Sequence, residues 1–152
     1  MAIESILVAV GPSDADRAAR LAEETIDVAG PTGANVVLAH VFTDDEYEEA
    51  LSNLEFDREA SEVTADDVAV RHSTIRTLAK ALDEADVDYE IRGAVGEHGE
   101  AISELAGEVD ADRVLVGGRK RSPTGKAVFG STAQEVMLSA PCPVTFVRAD
   151  TK

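Results

Sequence analysis

Tryptophan is absent from this sequence, aromatic residues make up only 4% of it, and cysteine occurs once. A single thiol, Cys142 between Pro141 and Pro143, excludes an intrachain disulfide framework and a cysteine metal cage. It reads as a small buried filler. A core with so few rings must be built from Val, Leu, Ile and Ala, the palette of a parallel sheet covered by helices. No apolar run approaches the roughly 18 residues of a membrane span. The N-terminus has neither a basic segment nor an apolar stretch with a cleavage site. A cytoplasmic location without a membrane partner is therefore expected. Positive charge is also scarce: 14 basic residues, four of them lysine, stand against 30 acidic ones, for a net charge of -16. Such a surface repels phosphate backbones, so nucleic acid is not an expected partner. Salt screens self-repulsion of this size, and a protein suited to a high-salt, halophilic cytoplasm is the corresponding expectation.

What is present has the order of an α/β protein. At 152 residues the chain buries roughly 70% of its unfolded surface in one core, and residues 1–152 are read as a single domain. Ile6 to Val10 is a short apolar run ended by Gly11 and Pro12, a buried strand. Ser13 is placed to cap a helix with Asp14 and Asp16 in its first turn. Ala18, Leu21, Ala22 and Ala29 mark that helix's apolar face, and Gly30, Pro31 and Gly33 its end. Val36 to Val41 is a second strand. From about residue 43 to 66 the chain is strongly acidic, with Arg58 as its lone basic residue and a loose Tyr47, Leu51, Leu54 stripe. It reads as an exposed excursion, partly helical or mobile.

Val68, Ile75, Leu78, Ala79 and Leu82 predict one helix, and Tyr89 with Ile91 a short strand ending near Gly93. Ala101, Ile102, Leu105, Ala106 and Val109 predict the next helix, followed by a strand over Arg113 to Val116. Ala133, Val136, Met137 and Ala140 give a last helix, and Pro143 to Val147 a last strand. Alternation of this kind calls for a five-stranded parallel sheet with helices on both faces, because parallel strands need crossovers. Ligands of such sheets bind beyond the carboxyl ends of the strands, near the reversal of strand order.

The loop after the fourth strand reverses the sign of the molecule. It runs from Gly117 and Gly118 through Arg119, Lys120, Arg121 and Lys126 to Gly130, Ser131 and Thr132, and holds four of the fourteen basic residues. Gly130 and Ser131 stand where the last helix begins, so free amides and the positive dipole end would meet an anion there. The glycines let phosphates approach the main chain. The plainer alternative is that the glycines turn the chain, Ser131 caps the helix and the cations meet acidic neighbours. A P-loop is excluded by spacing: Lys120 stands where its first glycine would, and Ala127 where the magnesium-holding hydroxyl would.

On these residues the sequence resembles the universal stress protein family. That family carries a glycine, two residues, a second glycine, nine residues and then Gly-Ser or Gly-Thr, a spacing met at Gly117, Lys120, Gly130 and Ser131. Further points of likeness are Ile6 to Val10, His40-Val41, Gly96 with Glu100-Ala101-Ile102, and Ala140 to Val144. The resemblance implies a Rossmann-like fold with strand order 3-2-1-4-5, and a homodimer formed through the last strand, Val144 to Val147. It also implies a nucleotide site in which Gly11, Pro12 and Val41 flank the base and ribose. Gly117, Gly118, Arg119, Lys120, Gly130, Ser131 and Thr132 would then hold the phosphates. The implied ligand is ATP, or ADP or AMP, with magnesium as counter-ion. Two positions depart from the pattern. Lys120 replaces a glycine, and Gly11 stands where the family has an aspartate, for which Asp14 or Asp16 could substitute.

His40, His72 and His98 are far apart in sequence without metal spacing, and no catalytic triad can be built from spacing. The expectation is thus a nucleotide-binding regulatory or stress-response protein that is not an enzyme. A nucleotide-free dimeric module that binds a protein partner is the alternative, and a slow ATP-cleaving enzyme a third reading.

Overall fold

The structure, a computed structural model, describes residues 3–11, 14–53, 64–118 and 131–148. Five strands form one parallel sheet: β1 (Ser5–Val10), β2 (Asn35–Phe42), β3 (Tyr89–Val95), β4 (Arg113–Gly118) and β5 (Val144–Arg148). Their order is β3-β2-β1-β4-β5. The chain builds outward from β1 to β3, then returns to lay β4 on the other side of β1. The direction of winding therefore reverses between β1 and β4, which opens a crevice at the carboxyl ends of these two strands.

Alternation along the strands divides the core into two layers. Ile6, Val8, Val36 and Leu38 face α1 (Ala18–Thr32) and α4 (Ser73–Glu84), where Leu21, Ile75, Leu78 and Leu82 meet them. Leu7, Ala9, Val37, Val41, Val114 and Val116 face α5 (His98–Glu108) and α6 (Ser131–Ser139), against Ile102, Leu105 and Val136. Each fully buried Val, Leu or Ile adds about 1.5–3 kcal/mol. The central strand β1 is covered on both faces, hence its unbroken apolar run.

Three boundaries differ from the sequence reading, each for a local reason. Pro31 lies inside α1, which ends only where Gly33 turns left-handed at φ 72°; glycine adopts that geometry without strain. Strand β3 passes through Gly93 to Val95, in register with His40 to Phe42. The helix predicted from Val68 to Leu82 is two helices, α3 (Ala65–Val70) and α4, because His72 caps the second by accepting the Thr74 amide at 3.3 Å. Val68 accordingly packs with Phe42 and Leu51 in a small separate cluster and not with Ile75.

The acidic excursion opens as α2 (Asp44–Asn53) and closes near α3; Leu54 lies outside the described residues. Its far end is not simply exposed. A Thr64–Asp67 capping box starts α3, and the Asp66 carboxylate accepts the Gly93 amide at 2.6 Å. A Cβ at Gly93 would strike the Ala65 carbonyl. Glycine there lets α3 lie directly on β3, so this rim of the sheet is covered.

Candidate functional site

Gly11, at the end of β1, and Gly117, near the end of β4, bracket the crevice between the two strands. The chain turns tightly after β1, with the Asp14 amide donating to the Gly11 carbonyl at 3.2 Å. The same turn sends the Asp14 side chain back, where its Oδ2 accepts the Gly11 amide at 2.6 Å. Asp14 Oδ1 lies 3.1 Å from Nε of Arg17, and the two side chains are only 9% and 6% exposed. A Cβ at Gly117 would come within 2.5 Å of both Asp14 Oδ1 and Arg17 Cδ. One carboxylate therefore holds the end of β1 by a hydrogen bond and packs against the end of β4, with a guanidinium beside it, and only a glycine at 117 leaves it room.

The electrostatics are those of a desolvated pair. Burial pushes the Asp14 carboxyl up, while the Gly11 amide and the Arg17 cation work in the other direction. An acid in this state gains from every further donor offered to it, because its lone pairs are cut off from water.

Of the expected site residues, Gly11, Gly117 and Gly118 are brought to this crevice by the pairing of β1 with β4. Ser131 and Thr132 form the first turn of α6, whose Ala133 and Val136 pack on the same face of the sheet. Val41 sits at the end of β2 with its side chain 2% exposed, packed among Ala39, Ile102 and Val116. Its side chain belongs to the core. Pro12, Arg119, Lys120 and Gly130 lie outside the described residues, as does Ser13.

Asp14 and Arg17 were not read as site residues from the sequence beyond Asp14's candidacy as a substitute for the missing aspartate. Their spacing, three residues from Gly11 and three again, is that of a first helical turn, and they serve it: a 3₁₀ turn over Ala15–Arg17 opens α1. What no spacing reveals is that Asp14 leaves its capping position empty and turns to the strand end instead. The structure also gathers the three histidines around the end of β2, with His72 against His40 and His98 Nε2 at 2.7 Å from Glu46 Oε1. Among the described residues no group of His, Cys, Asp or Glu has the geometry to hold a metal ion.

Residues 2–148 match the Universal stress protein family. A universal stress protein of Mycolicibacterium smegmatis is 33% identical over 79 residues, which cover 51% of this chain and 61% of that relative. Among solved structures, a universal stress protein from Archaeoglobus fulgidus is similar with a TM-score of 0.69 at 28% identity, over 95% of this chain and 98% of the other. A universal stress protein from the same organism in complex with dAMP has a TM-score of 0.66 at 23% identity, over 97% and 99% of the two chains.

Proposed function

The chain belongs to the universal stress protein family, and from that membership we propose that it binds an adenine nucleotide in the crevice between β1 and β4 and regulates by binding rather than by turnover. The observation that carries this reading is the buried Asp14 carboxylate lodged between Gly11 and Gly117. It supplies an acceptor for ribose hydroxyls at the strand end where the family pattern has its aspartate and this chain has Gly11. The A. fulgidus structure with dAMP is a precedent for an adenine nucleotide on this fold.

In this reading the Val41 main chain flanks the base, with Gly11 and Pro12 at its side. Gly117, Gly118, Gly130, Ser131 and Thr132 cradle the phosphates on main-chain and hydroxyl donors at the head of α6. Arg119 and Lys120 supply the charge that a glycine at 120 would lack. The ligand is ATP with magnesium, or ADP or AMP.

The protein works as one domain in a cytoplasm, as a homodimer joined through β5, and its acidic surface suits high salt. With the β3 rim covered by α3, β5 is the rim that can accept a second copy.

Calorimetry in concentrated KCl tests the site. Titration with magnesium-ATP and with AMP is expected to show one nucleotide per chain. Asp14→Ala should weaken binding about tenfold or more, the worth of a hydrogen bond to a charged group. Absence of heat with every adenine nucleotide would turn the assignment to the nucleotide-free interaction module.

A further inference from the structure

We propose that His40 and His72 form an acid-sensitive latch that holds α3 and the head of α4 on the end of β2, beside a Glu46–His98 contact that ties α2 to α5. His40 is 2% exposed, and neither of its ring nitrogens has a hydrogen-bond partner. It is packed instead by stacking: the Phe42 ring lies 4.3 Å away on one side and the His72 ring 4.1 Å on another. A neutral imidazole can be sealed in this way. An imidazolium is sealed poorly, because the Val41 main chain and Glu46 offset only part of the cost of burying its charge beside a second titratable ring.

The neighbours make the sign of the effect definite. On α2, Glu46 faces His40; His72 heads α4; and His98 opens α5. From α3, Asp66 is engaged by the Gly93 amide and Asp67 by the Thr64 amide, while β3 sets the uncharged Gly93 opposite His40. Burial lowers His40 to about 3, His72 and His98 push it the same way, and Glu46 and the Val41 main chain oppose them. Burial also lowers His72.

Both groups are bases with depressed values in the closed arrangement. The stability they allow is therefore full above about 6.5 and is lost as pH falls below it. Protonation of His72 does further harm, since its Nδ1 accepts the Thr74 amide that caps α4; a cation there can no longer accept and also opposes the helix dipole.

The Glu46–His98 contact stands apart from the latch. Burial would raise the Glu46 carboxyl, but the Thr43 amide and His98 more than offset this and hold it below its usual value. This contact ties the first turn of α2 to α5. Release of α3 is resisted by a small cluster, Phe42, Leu51, Val68 and Ala69 with Tyr47, Ala50 and Ile91 against it, and by the Asp66–Gly93 hydrogen bond; α4 beyond its head is kept by Ile75, Leu78 and Leu82. Segments held by so few side chains open before the global core does.

Hydrogen exchange on the full chain at pH 7 and pH 5, corrected for intrinsic rates, tests the latch. With 6.5 for the opened ring and about 3 for the closed one, the opening constant of α3 should rise about 25-fold from His40 alone. The first turn of α2 and the strand β1 should not change. In His40→Gln the ratio should lose that 25-fold factor and keep only the contribution of His72, and His72→Gln should lower it in part. If His40→Gln fails to fold, His72→Gln and an NMR titration of His40 in the unaltered chain decide. A His40 ring that titrates near 6.5 in the closed protein, or an equal acid response in the variants, would overturn the proposal.

Discussion

At position 117 the missing atom is a methyl group. Gly117 does not adopt a positive φ, so conformational freedom is not why it is there; the Asp14–Arg17 pair needs the space. Gly117→Ala is therefore expected to shift that pair at an overpacking cost of about 1–3 kcal/mol. Thermal unfolding should drop by several degrees, since about 1 kcal/mol moves a chain of this size by roughly 2–4 °C. Affinity for AMP should fall about tenfold while the circular dichroism of the sheet persists. Full affinity in this variant would remove Asp14 and Arg17 from the ligand's surroundings.

Elements decide which rim of the sheet can meet another copy. Helix α3 lies over β3 and takes up the Gly93 amide, whereas β5 has β4 as its one strand partner. Proline in β5 is a poor probe of that rim. The Val114 amide donates to the Pro143 carbonyl, and in a parallel ladder this alternation turns the Thr145 and Val147 amides inward to β4. Proline at either would break the sheet itself. Thr145→Lys leaves the ladder intact and sets two like charges near the two-fold axis of a β5-mediated dimer. Light scattering should show several-fold weaker association at low salt, with partial recovery as salt screens the repulsion. A variant that stays as dimeric as its parent would place the interface elsewhere.

Across the whole molecule, thirty carboxylates against fourteen cations make compactness electrostatically unfavourable. The ion pairs between Arg20 and both Glu23 and Glu24 are on the surface and contribute little. Screening contributes more, because the Debye length falls from about 10 Å at 0.1 M salt to about 3 Å at 1 M. The midpoint of thermal unfolding is thus expected to climb by several degrees between dilute and molar KCl, followed by circular dichroism. An unchanged midpoint would mean that the acidic surface serves solubility alone.

Sequence by itself determined the class of the molecule. Five short apolar runs and the stripes between them are properties of neighbouring residues, and periods of two and of about 3.6 can be read without knowing what packs where. The glycine spacing and the family resemblance were legible for the same reason. Tertiary structure alone decided the rest. Val68 and Ile75 share a helical spacing but belong to different clusters, because the cap at His72 is visible only once Thr74 is seen donating to it. Asp14 looked like a first-turn acid, yet it bonds the end of β1 and packs against the end of β4, since β1 and β4 are neighbours in the sheet but separated by two other strands in the chain. His40, His72 and His98 look scattered in the sequence, and the fold sets His72 against His40 and His98 against Glu46. Local pattern can specify an element's type and facing, but contacts between distant segments depend on the order in which the strands are laid down, and the buried chemistry of this protein is made of such contacts.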